Sequence, residues 1–482
     1  MKAQSTGNNK GFSTLEVLIA FTVLILCVTA VILVVFGNQS VTVDTQTNVE
    51  AISKAQKELE NVRALSRQDF VSVVSDPAPV SDGIYNKQNT IVDLTQCLKQ
   101  ATSLVSWNIE SRALNVNFST FLSDIAGAIM MGSDCDSEIS GDWDNPITAT
   151  SVGIGGQGAT DIDVRNDFVY LTSDPSAASK EDFFIYEFDS VAVSLTERAK
   201  IHVSAGLNGV DVINDYAFTI NSEASGHLIV FNISDPSNPT LIASNSLPDM
   251  MVGVARSIFY YNHFIYIGTQ YLGCPVCPSS QNNEFHIFNV SVPGAPVWRG
   301  SFKVNHNIND IAVRGDYAYL ATSDNNGELR IYNISDPSAV SFEGLFNAPG
   351  NEDGDSLYLL GNKLYLGRDR TPAARKDFYV LNISDPTSPT ELGSKNLGLN
   401  PGATVEGIVV RGSLAFVGVD NPISGIQILT ISDPSNIVNH PICTSLNFSE
   451  NSTAIDMEGD TVFSANNSND EIRVIRDQAS TC

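Results

Sequence analysis

The sequence predicts a long N-terminal α-helix, a small α+β head and then an all-β, seven-bladed propeller. Three observations lead to this fold class. An apolar run over residues 12–36 is followed by an amphipathic pattern that extends to about residue 70. Residues 71–146 contain short strand-like segments and turns, and residues 147–482 repeat one strand pattern seven times.

The apolar run begins at Phe12 and has Glu16 as its one charged residue. A helix of that length can span a hydrocarbon core of about 30 Å. Lys2 and Lys10 precede the run, which favours a cytoplasmic N-terminus and export of the rest. A carboxylate within a membrane helix is costly without a partner. Cleavage between Gly11 and Phe12 would create an α-amino group that can neutralise Glu16 of a neighbouring chain.

This stretch resembles the class III signal of type IV pilins and pseudopilins, with Lys-Gly before the cut, Phe12 after it and then Glu16. The resemblance implies that residues 1–11 are a prepilin leader removed by a prepilin peptidase, that Phe12 is methylated, and that Glu16 supports assembly with other pilin subunits. The implied localisation is a single-pass membrane protein before assembly, with an extracytoplasmic C-terminal part at the cell surface or in a pilus. An ordinary signal anchor with a chance Glu16 is the alternative.

Apolar residues recur at three- and four-residue steps from Val49 to Leu65, with charged residues between them. This periodicity predicts an amphipathic helix that continues the apolar run, so one helix is expected over residues 12–70. The segment Asp76-Pro77-Ala78-Pro79 then breaks the helix.

The small head is predicted over residues 71–146. Residues 101–107 and 114–118 have the composition of two strands joined by a polar turn. Together with Arg112 and residues 119–122, they resemble the compact head of minor pilins or pseudopilins. Residues 141–146 are interpreted as the linker to the next domain.

The repeat region is marked by a strand that ends in Asn-Ile-Ser-Asp-Pro, at residues 232–236, 333–337 and 382–386. Each repeat contains an apolar strand, a tight turn, an aromatic-rich strand, a third strand, the Ser-Asp-Pro turn and a fourth strand. Four short antiparallel strands in each repeat are typical of a propeller. The repeats resemble the LVIVD-type propeller repeats of bacterial surface proteins.

Seven copies are recognised, and they begin near Ala159, Gly206, Val254, Asn309, Ser356, Glu406 and Ala454. The seventh copy stops after its third strand. Residues 147–150 precede the first copy and can supply the missing strand, which would close the ring by pairing the two ends of the repeat region.

Seven cysteines are present, and Cys27 lies in the apolar run. An even number of cysteines in an exported region predicts disulfide bonds. Sequence proximity suggests the pairs Cys97–Cys135, Cys274–Cys277 and Cys443–Cys482. The Cys-Pro-Val-Cys loop of the second pair is interpreted as a stiffening disulfide rather than a redox or metal pair.

Several acidic positions are candidate cation ligands. Aligned repeats place Asp161 and Asp310 in one register of the first strand, and Asp163, Asp211 and Asp456 two residues further on. Alternate strand residues share a face, so these five residues form either a cation-binding ring or, as expected here, a set of solvated carboxylates.

Two acidic, glycine-containing loops resemble calcium-binding loops without their full spacing. They contain Asp324 in one case and Asp353 and Asp355 in the other. No cofactor is expected apart from calcium at these residues, and plain turns are the alternative. The tripeptide Arg314-Gly315-Asp316 and the Asn-x-Ser triplets are interpreted as turn chemistry.

The formal net charge of −27 excludes nucleic acid and anionic membrane surfaces as expected partners. Catalytic signatures are absent from the sequence, so no enzyme is expected. The predicted function is a minor type IV pilin-like surface protein that displays its propeller for adhesion to an extracellular ligand, at a pilus tip or in low copy. The alternatives are a pseudopilin of a type II secretion or DNA-uptake system with a cargo-binding propeller, and a surface enzyme.

The motif predicts that the mature chain begins at Phe12. Mass spectrometry of the N-terminal peptide checks this expectation, and a mature chain that retains residues 1–11 would contradict it. Glu16→Ala should leave cleavage intact and impair assembly, because the new α-amino group would lose its anionic partner.

Overall fold

A computed structural model describes residues 21–22, 24–25, 45–109, 112–125, 127, 139, 141–174, 180–203, 206–221, 223, 227–248, 254–272, 282–369, 375–398, 403–420, 425–441, 451–467 and 469–478. The chain divides into two compact units. The first comprises Met1–Val92 and Leu98–Asp124, and the second comprises Asp93–Cys97 and Ile125–Cys482.

The first unit contains a helix and a four-stranded antiparallel sheet. Its elements are α1 (Thr45–Ser66), β1 (Val80–Asp82), β2 (Tyr85–Thr95), β3 (Leu98–Ile109) and β4 (Arg112–Ser123), with the strands paired in chain order. Ala101 and Val105 share one face of β3 and are buried against Ala55 and Leu59 of α1. The two strands predicted in this region lie within the β3–β4 hairpin, whereas β1 and β2 have no predicted counterpart.

The predicted fold class is wrong in its N-terminal part. The described residues are nearly all β, with eight separate four-stranded sheets, and α1 has 22 residues instead of the predicted span of 12–70. Val49 and Leu65, which the periodicity assigned to the apolar stripe, are exposed. The helix ends before residue 70 because the chain turns there: the Asp69 carboxylate accepts hydrogen bonds from the backbone N–H groups of Val71 and Ser72.

Among the residues that the structure describes, no helix has both the length and the apolar composition needed to cross a bilayer. The predicted single-pass membrane localisation is therefore not supported. Phe21, Thr22, Leu24 and Ile25 have helical backbone, and the predicted processing and assembly residues lie outside the described part of the chain: Gly11, Phe12 and Glu16.

The second unit contains seven four-stranded antiparallel sheets, which we call blades. Blades 1 to 4 comprise β6 (Ala159–Arg165), β7 (Phe168–Ser173), β8 (Phe183–Asp189), β9 (Ser194–Ile201); β10 (Leu207–Ile213), β11 (Tyr216–Asn221), β12 (His227–Asn232), β13 (Thr240–Ser246); β14 (Ala255–Tyr261), β15 (Phe264–Thr269), β16 (Phe285–Asn289), β17 (Val297–Phe302); and β18 (Ile308–Arg314), β19 (Tyr317–Thr322), β20 (Leu329–Asn333), β21 (Ser341–Phe346). Blades 5 to 7 comprise β22 (Gly354–Leu360), β23 (Lys363–Arg368), β24 (Phe378–Asn382), β25 (Thr390–Lys395); β26 (Val405–Arg411), β27 (Leu414–Val419), β28 (Ile426–Thr430), β29 (Val438–Asn439); and β30 (Ser452–Glu458), β31 (Thr461–Asn466), β32 (Ile472–Asp477) with β5 (Pro146–Val152).

The blades form a closed ring. The first strands of successive blades contact one another in the cycle β6, β10, β14, β18, β22, β26, β30 and again β6. In blade 7, β5 pairs with β32, and Thr150 lies opposite Val474. The predicted closure by residues 147–150 is therefore confirmed, and the two ends of the repeat region share one sheet.

The repeated turn after the third strand is stabilised by its own side chains. The Asn232 Oδ1 accepts hydrogen bonds from the Ser234 backbone N–H at 3.0 Å and from its hydroxyl at 2.7 Å. Asn333 bonds to Ser335 in the same way. These asparagines hold the turn as the sequence indicated.

Buried carboxylates fix the connections between blades. The Glu471 carboxylate accepts hydrogen bonds from the Ile154 N–H at 2.8 Å and the Gln157 N–H at 3.1 Å, and Glu284 accepts one from the Val304 N–H at 2.7 Å. In five blades, the acidic residue directly before the third strand accepts a hydrogen bond from a backbone N–H that follows a fourth strand. These residues are Asp182, Glu284, Glu328, Asp377 and Glu471. Buried charges are tolerated when hydrogen-bonded, so each acid secures the segment that leads out of a fourth strand.

Trp143 belongs to the propeller core, although residues 141–146 were predicted to be a linker. Its side chain is 0% exposed, and its ring lies edge-on to Phe416 with 4.7 Å between centroids. The backbone N–H groups of Trp143 and Asn145 each donate to the Asp477 carboxylate at 3.2 Å. The segment before β5 is thus anchored by an aromatic side chain and by two hydrogen bonds.

Replacing Trp143 by alanine should lower the free energy of unfolding of the propeller by about 3–5 kcal/mol, because a large cavity is left in the core. Trp298→Ala is the matched control, since Trp298 is 39% exposed on β17 and its loss should cost about 1 kcal/mol or less. Chemical denaturation of both variants measures the difference, and equal losses would show that Trp143 does not anchor the ring.

Candidate functional site at the mouth of the propeller channel

All seven first strands contain a β-bulge near their N-terminal ends. In blade 1, for example, the pairing register with the second strand shifts between Ala159 and Asp161, which leaves Thr160 unpaired. Seven residues occupy this position, and we call them the bulge ring: Thr160, Asn208, Arg256, Asn309, Asp355, Glu406 and Thr453. A bulge re-aims the side chain of the extra residue, and here it does so at one end of the channel.

Below the bulges, aspartates of the first strands bind the next blade. The Asp310 Oδ2 accepts the Leu357 N–H at 2.7 Å, and the Asp211 Oδ2 accepts the Tyr260 N–H at 2.6 Å. The same bond is made by all five acidic residues that the repeats had aligned: Asp161, Asp163, Asp211, Asp310 and Asp456. One oxygen of each therefore accepts a backbone N–H across a blade boundary. For Asp161 and Asp310 the second oxygen also accepts a backbone N–H, so these two are not the solvated carboxylates that were expected.

Three polar residues of the bulge ring also bind the next blade. The Thr160 hydroxyl donates to the Leu207 carbonyl at 2.7 Å, and the Asn208 amide donates to the Ala255 carbonyl at 2.7 Å. Asn309 donates to the Gly354 carbonyl at 2.8 Å. In these blades the bulge residue therefore has a structural role.

The charged members of the bulge ring depart from this pattern. A carboxylate cannot donate to a carbonyl, so Asp355 and Glu406 cannot make the same bond. In blade 5 the following residue takes over, and the Ser356 hydroxyl donates to the Val405 carbonyl at 2.6 Å. Arg256 is exposed and forms no ion pair with a carboxylate that the structure describes. Arg256, Glu406 and the Oδ2 of Asp355 therefore do not hold the next blade.

The bulge ring surrounds a cavity of about 490 Å³. A second cavity of about 450 Å³ shares five of these seven residues, including Arg256 and Glu406. Sites for small molecules commonly measure about 300–1,000 Å³. The mouth of the channel thus has the size and the polar lining of a binding site.

Burial dominates the electrostatics of the mouth. It raises the pKa of Glu406 to about 7, with Asp420 adding to the rise and Arg256 opposing it. Burial also raises the pKa of Asp355 well above its usual range, and the neighbouring Glu406 contributes. Asp353 lies close by, and burial raises its pKa to about 6. With a pKa of about 7, Glu406 is therefore partly protonated near neutral pH.

Three polar atoms of the ring are buried without a hydrogen-bond partner among the described residues: the Asp355 Oδ2, the Asn309 Oδ1 and the Thr453 Oγ1. The Asn309 amide orientation is fixed, because its nitrogen donates both to the Gly354 carbonyl and to the Asp355 Oδ1 at 3.0 Å. Unsatisfied buried acceptors are unfavourable, so a donor brought by a ligand would stabilise this side of the mouth.

The three residues predicted as calcium ligands have different surroundings. Asp324 lies in a turn, where its carboxylate pairs with Arg330 and accepts the Asn326 N–H at 3.0 Å. Asp353 and Asp355 lie at the start of β22. Within the described ranges, no group of three His, Cys, Asp or Glu side chains is arranged to hold a metal ion.

The Arg314-Gly315-Asp316 turn and the cysteines are the other candidates from the sequence, and none of them is among the described residues that line the mouth of the channel. In the Arg314-Gly315-Asp316 turn, Arg314 donates to the Gly361 carbonyl and Gly315 has φ of 56°, so turn geometry accounts for the tripeptide. Cys97 forms a disulfide bond. The other predicted disulfide cysteines lie outside the described residues, and their pairing stays a prediction: Cys135, Cys274, Cys277, Cys443 and Cys482.

Arg256 and Glu406 belong to no motif in the sequence, and no role was predicted for either. The available signal was their departure from the repeat. Four repeats carry Thr or Asn at the bulge position, whereas the third, fifth and sixth carry Arg256, Asp355 and Glu406. Without the bulges, this position could not be recognised as one that faces the channel.

Comparison with known proteins agrees with the ring architecture. The family described as LVIVD repeat matches residues 208–245, 307–348 and 373–396, which lie in blades 2, 4 and 5, and this supports a β-propeller-type domain. No curated protein matches the chain in sequence.

Several solved structures resemble the chain at low sequence identity. The periplasmic gluconolactonase of Pseudomonas aeruginosa has 12% identity and a TM-score of 0.51, covering 64% of this chain and 90% of that chain. A chain of the mitotic checkpoint complex has 11% identity, a TM-score of 0.49 and coverages of 71% and 97%. Sqt1 of Saccharomyces cerevisiae has 11% identity, a TM-score of 0.46 and coverages of 67% and 82%. At such identities, the likeness to the gluconolactonase concerns the fold alone.

Glu406→Gln should stabilise the propeller at neutral pH. Because burial raises the pKa of Glu406 from 4.5 to about 7, the folded state binds a proton more tightly than the unfolded chain, and the free energy of unfolding falls as pH rises from about 4.5 to 7. The variant should therefore be more stable than the wild type at pH 8, by about 1–3 kcal/mol, and no more stable at pH 4.

Asp310→Asn is the control. Burial raises its pKa to about 7 as well, but its two oxygens accept the Ile311 and Leu357 N–H groups. An amide offers one acceptor oxygen, so this variant should lose about 1–3 kcal/mol at pH 8. Thermal unfolding at both pH values measures the contrast, and a destabilised Glu406→Gln at pH 8 would show that Glu406 supports the fold.

Proposed function

We propose that this protein is a ligand-binding protein whose propeller holds its ligand at the mouth of the channel, without catalysing a reaction. One observation carries the proposal. In the bulge ring, Thr160, Asn208 and Asn309 donate to the backbone of the next blade. Arg256 and Glu406 make no such bond, and Asp355 only accepts a hydrogen bond from Asn309 through its Oδ1.

The energetic argument is that these charges do not help the ring to fold. Burial of Asp355 and Glu406 opposes their ionisation, and removing a charge of this kind is usually neutral or stabilising. Groups that weaken the fold and line a cavity are candidates for a functional site. The cavity of about 490 Å³ that they surround is concave and polar, which favours binding of a small polar molecule or of a side chain from a larger partner.

Binding is favoured over catalysis because few groups at the mouth are free to act on a reacting bond. Thr160, Asn208 and Asn309 direct their donors at the backbone of the next blade. A transition state that develops negative charge would need preorganised donors, and Arg256 is the one charged donor of the bulge ring. The bulge ring is therefore suited to binding a charged ligand, and it does not pair a nucleophile with a general base.

A finer proposal concerns how the propeller is displayed. The Lys-Gly-Phe motif with Glu16 supports processing at Gly11 and Phe12 by a prepilin peptidase and assembly with other pilin subunits. The propeller would then serve as an adhesion module of a minor pilin or, in a secretion or DNA-uptake system, as a cargo-binding module. The N-terminal mass of the mature chain tests this part independently of the propeller.

The binding proposal is tested by screening the purified full-length chain against glycans, matrix proteins and small charged molecules. Any ligand of the mouth should bind at least about tenfold more weakly to the double variant Asp355→Asn/Glu406→Gln or to Arg256→Gln, because each removes charge-assisted contacts. The double variant Arg299→Gln/Glu391→Gln changes exposed charges on the outer strands β17 and β25 and should bind normally.

Two results would contradict the proposal. Equal affinity of every ligand for the wild type and the mouth variants would place the site elsewhere. Chemical conversion of a bound ligand, lost in Glu406→Gln and detected by mass spectrometry, would mean that the protein is an enzyme.

A further inference from the structure

The geometry points to a small zwitterion as the ligand of the mouth, with one ammonium or guanidinium group bound by blades 4 to 6 and one carboxylate bound by Arg256 of blade 3, as in an amino acid. This inference rests on the proposed function, because it names the chemical class of ligand for the same site.

Blades 4 to 6 offer acceptors to a cation. Glu406 and Asp355 supply carboxylate oxygens, and Asn309 supplies an amide oxygen. The Asp355 Oδ2 and the Asn309 Oδ1 are buried without a partner among the described residues. An ammonium group has three donors and no acceptor, so it matches a wall whose unused hydrogen-bonding atoms are acceptors.

Arg256 provides the opposite charge across the ring. Blade 3 is separated from blade 5 by one blade and from blade 6 by two, and Arg256 lines the same cavity as the two acids. It is close enough to lower the pKa of Asp355 and Glu406, yet it forms no ion pair with a described carboxylate. A planar guanidinium binds a carboxylate in a bidentate manner, so Arg256 suits the anionic end of a ligand held in this cavity.

Other ligand classes fit less well. A divalent cation would need several converging carboxylates, and the described residues contain no group of three potential ligands in such an arrangement. A neutral sugar would occupy the cavity without neutralising either charge, which is unfavourable in a partly buried site. A simple amine would leave Arg256 unpaired, and a simple carboxylate would leave the acids unpaired.

The protonation of the acids adds a pH dependence. Burial raises the pKa of Glu406 to about 7, and Asp353, Asp369 and Asp420 lie near the same acids. The other charged groups that line this cavity are Arg165, Arg256, Asp161, Asp163, Asp211, Asp310 and Asp456. An ammonium group stays protonated to about pH 10, so binding requires ionised acids and releases protons near neutral pH. Affinity for the zwitterion should therefore rise between pH 6 and pH 8.

Calorimetry of the full-length chain with matched ligands tests the inference. The panel contains 4-aminobutyrate with butylamine and butyrate, and 6-aminohexanoate with hexylamine and hexanoate, so each zwitterion is compared with its singly charged counterparts of equal chain length. At least one zwitterion should bind about tenfold more tightly than its matched amine and its matched acid.

Two variants test which residue binds each charged end of the ligand. Arg256→Gln should reduce the affinity for the zwitterion to that for the amine, and Glu406→Gln should reduce it to that for the acid. The outer-strand variants Arg299→Gln and Glu391→Gln are matched in chemistry and should leave all affinities unchanged.

Three outcomes would overturn the inference. If an amine binds as tightly as its zwitterion and is lost in Glu406→Gln, the mouth binds cations and Arg256 has no role. If no member of the panel binds but a neutral glycan binds and is lost in the mouth variants, the ligand class is wrong and the binding site stands. If neither the panel nor the broader screen yields a ligand whose binding is weakened by the mouth variants, the proposed function is wrong.

Discussion

The hydrogen bond between a carboxylate of one first strand and a backbone N–H of the next organises the propeller. Each first strand lies at the edge of its own sheet, so half of its backbone groups have no partner within that sheet. Asp310 reaches the N–H of Leu357, and Asp456 reaches the N–H of Val164 across the closing boundary of the ring. Since buried backbone groups must be hydrogen-bonded, these aspartates link neighbouring sheets at four of the seven blade boundaries.

The same constraint identifies where function can lie. At the bulges, Thr and Asn side chains connect neighbouring blades in place of aspartate, and they donate hydrogen bonds to backbone carbonyl groups. Ser356 makes this bond one residue after Asp355, so blade 5 keeps its attachment while its bulge carries a charge. Because Ser356 meets this structural requirement, the Oδ2 of Asp355 has no bond among the described residues and can accept one from a ligand. Burying these charges is unfavourable, which is why the pKa values of Asp355 and Glu406 are raised.

Local sequence signals predicted the structure correctly where they are repeated, and incorrectly where a single signal was extended along the chain. Asn-Ile-Ser-Asp-Pro marked the blades because the asparagine and aspartate stabilise their own turn, and the unfinished last repeat indicated closure by β5. The helix predicted over residues 12–70 was extrapolated from the periodicity of apolar residues. Periodicity does not show where the chain turns back onto its own sheet, and it turns back after Ser66. Trp143 was read as linker because neighbouring Gly, Asp and Pro residues resemble a connection, although its burial depends on Phe416, which is distant in sequence.

By itself, the sequence determined the propeller, its repeat unit, the ring closure and the acidic character of the first strands, because these follow from composition and spacing within one repeat. The tertiary structure alone decided which acids bind the next blade and which remain free. That distinction depends on a one-residue bulge and on the N–H groups of a blade about 50 residues away, and neither is encoded in the local pattern around Asp161, Asp355 or Glu406.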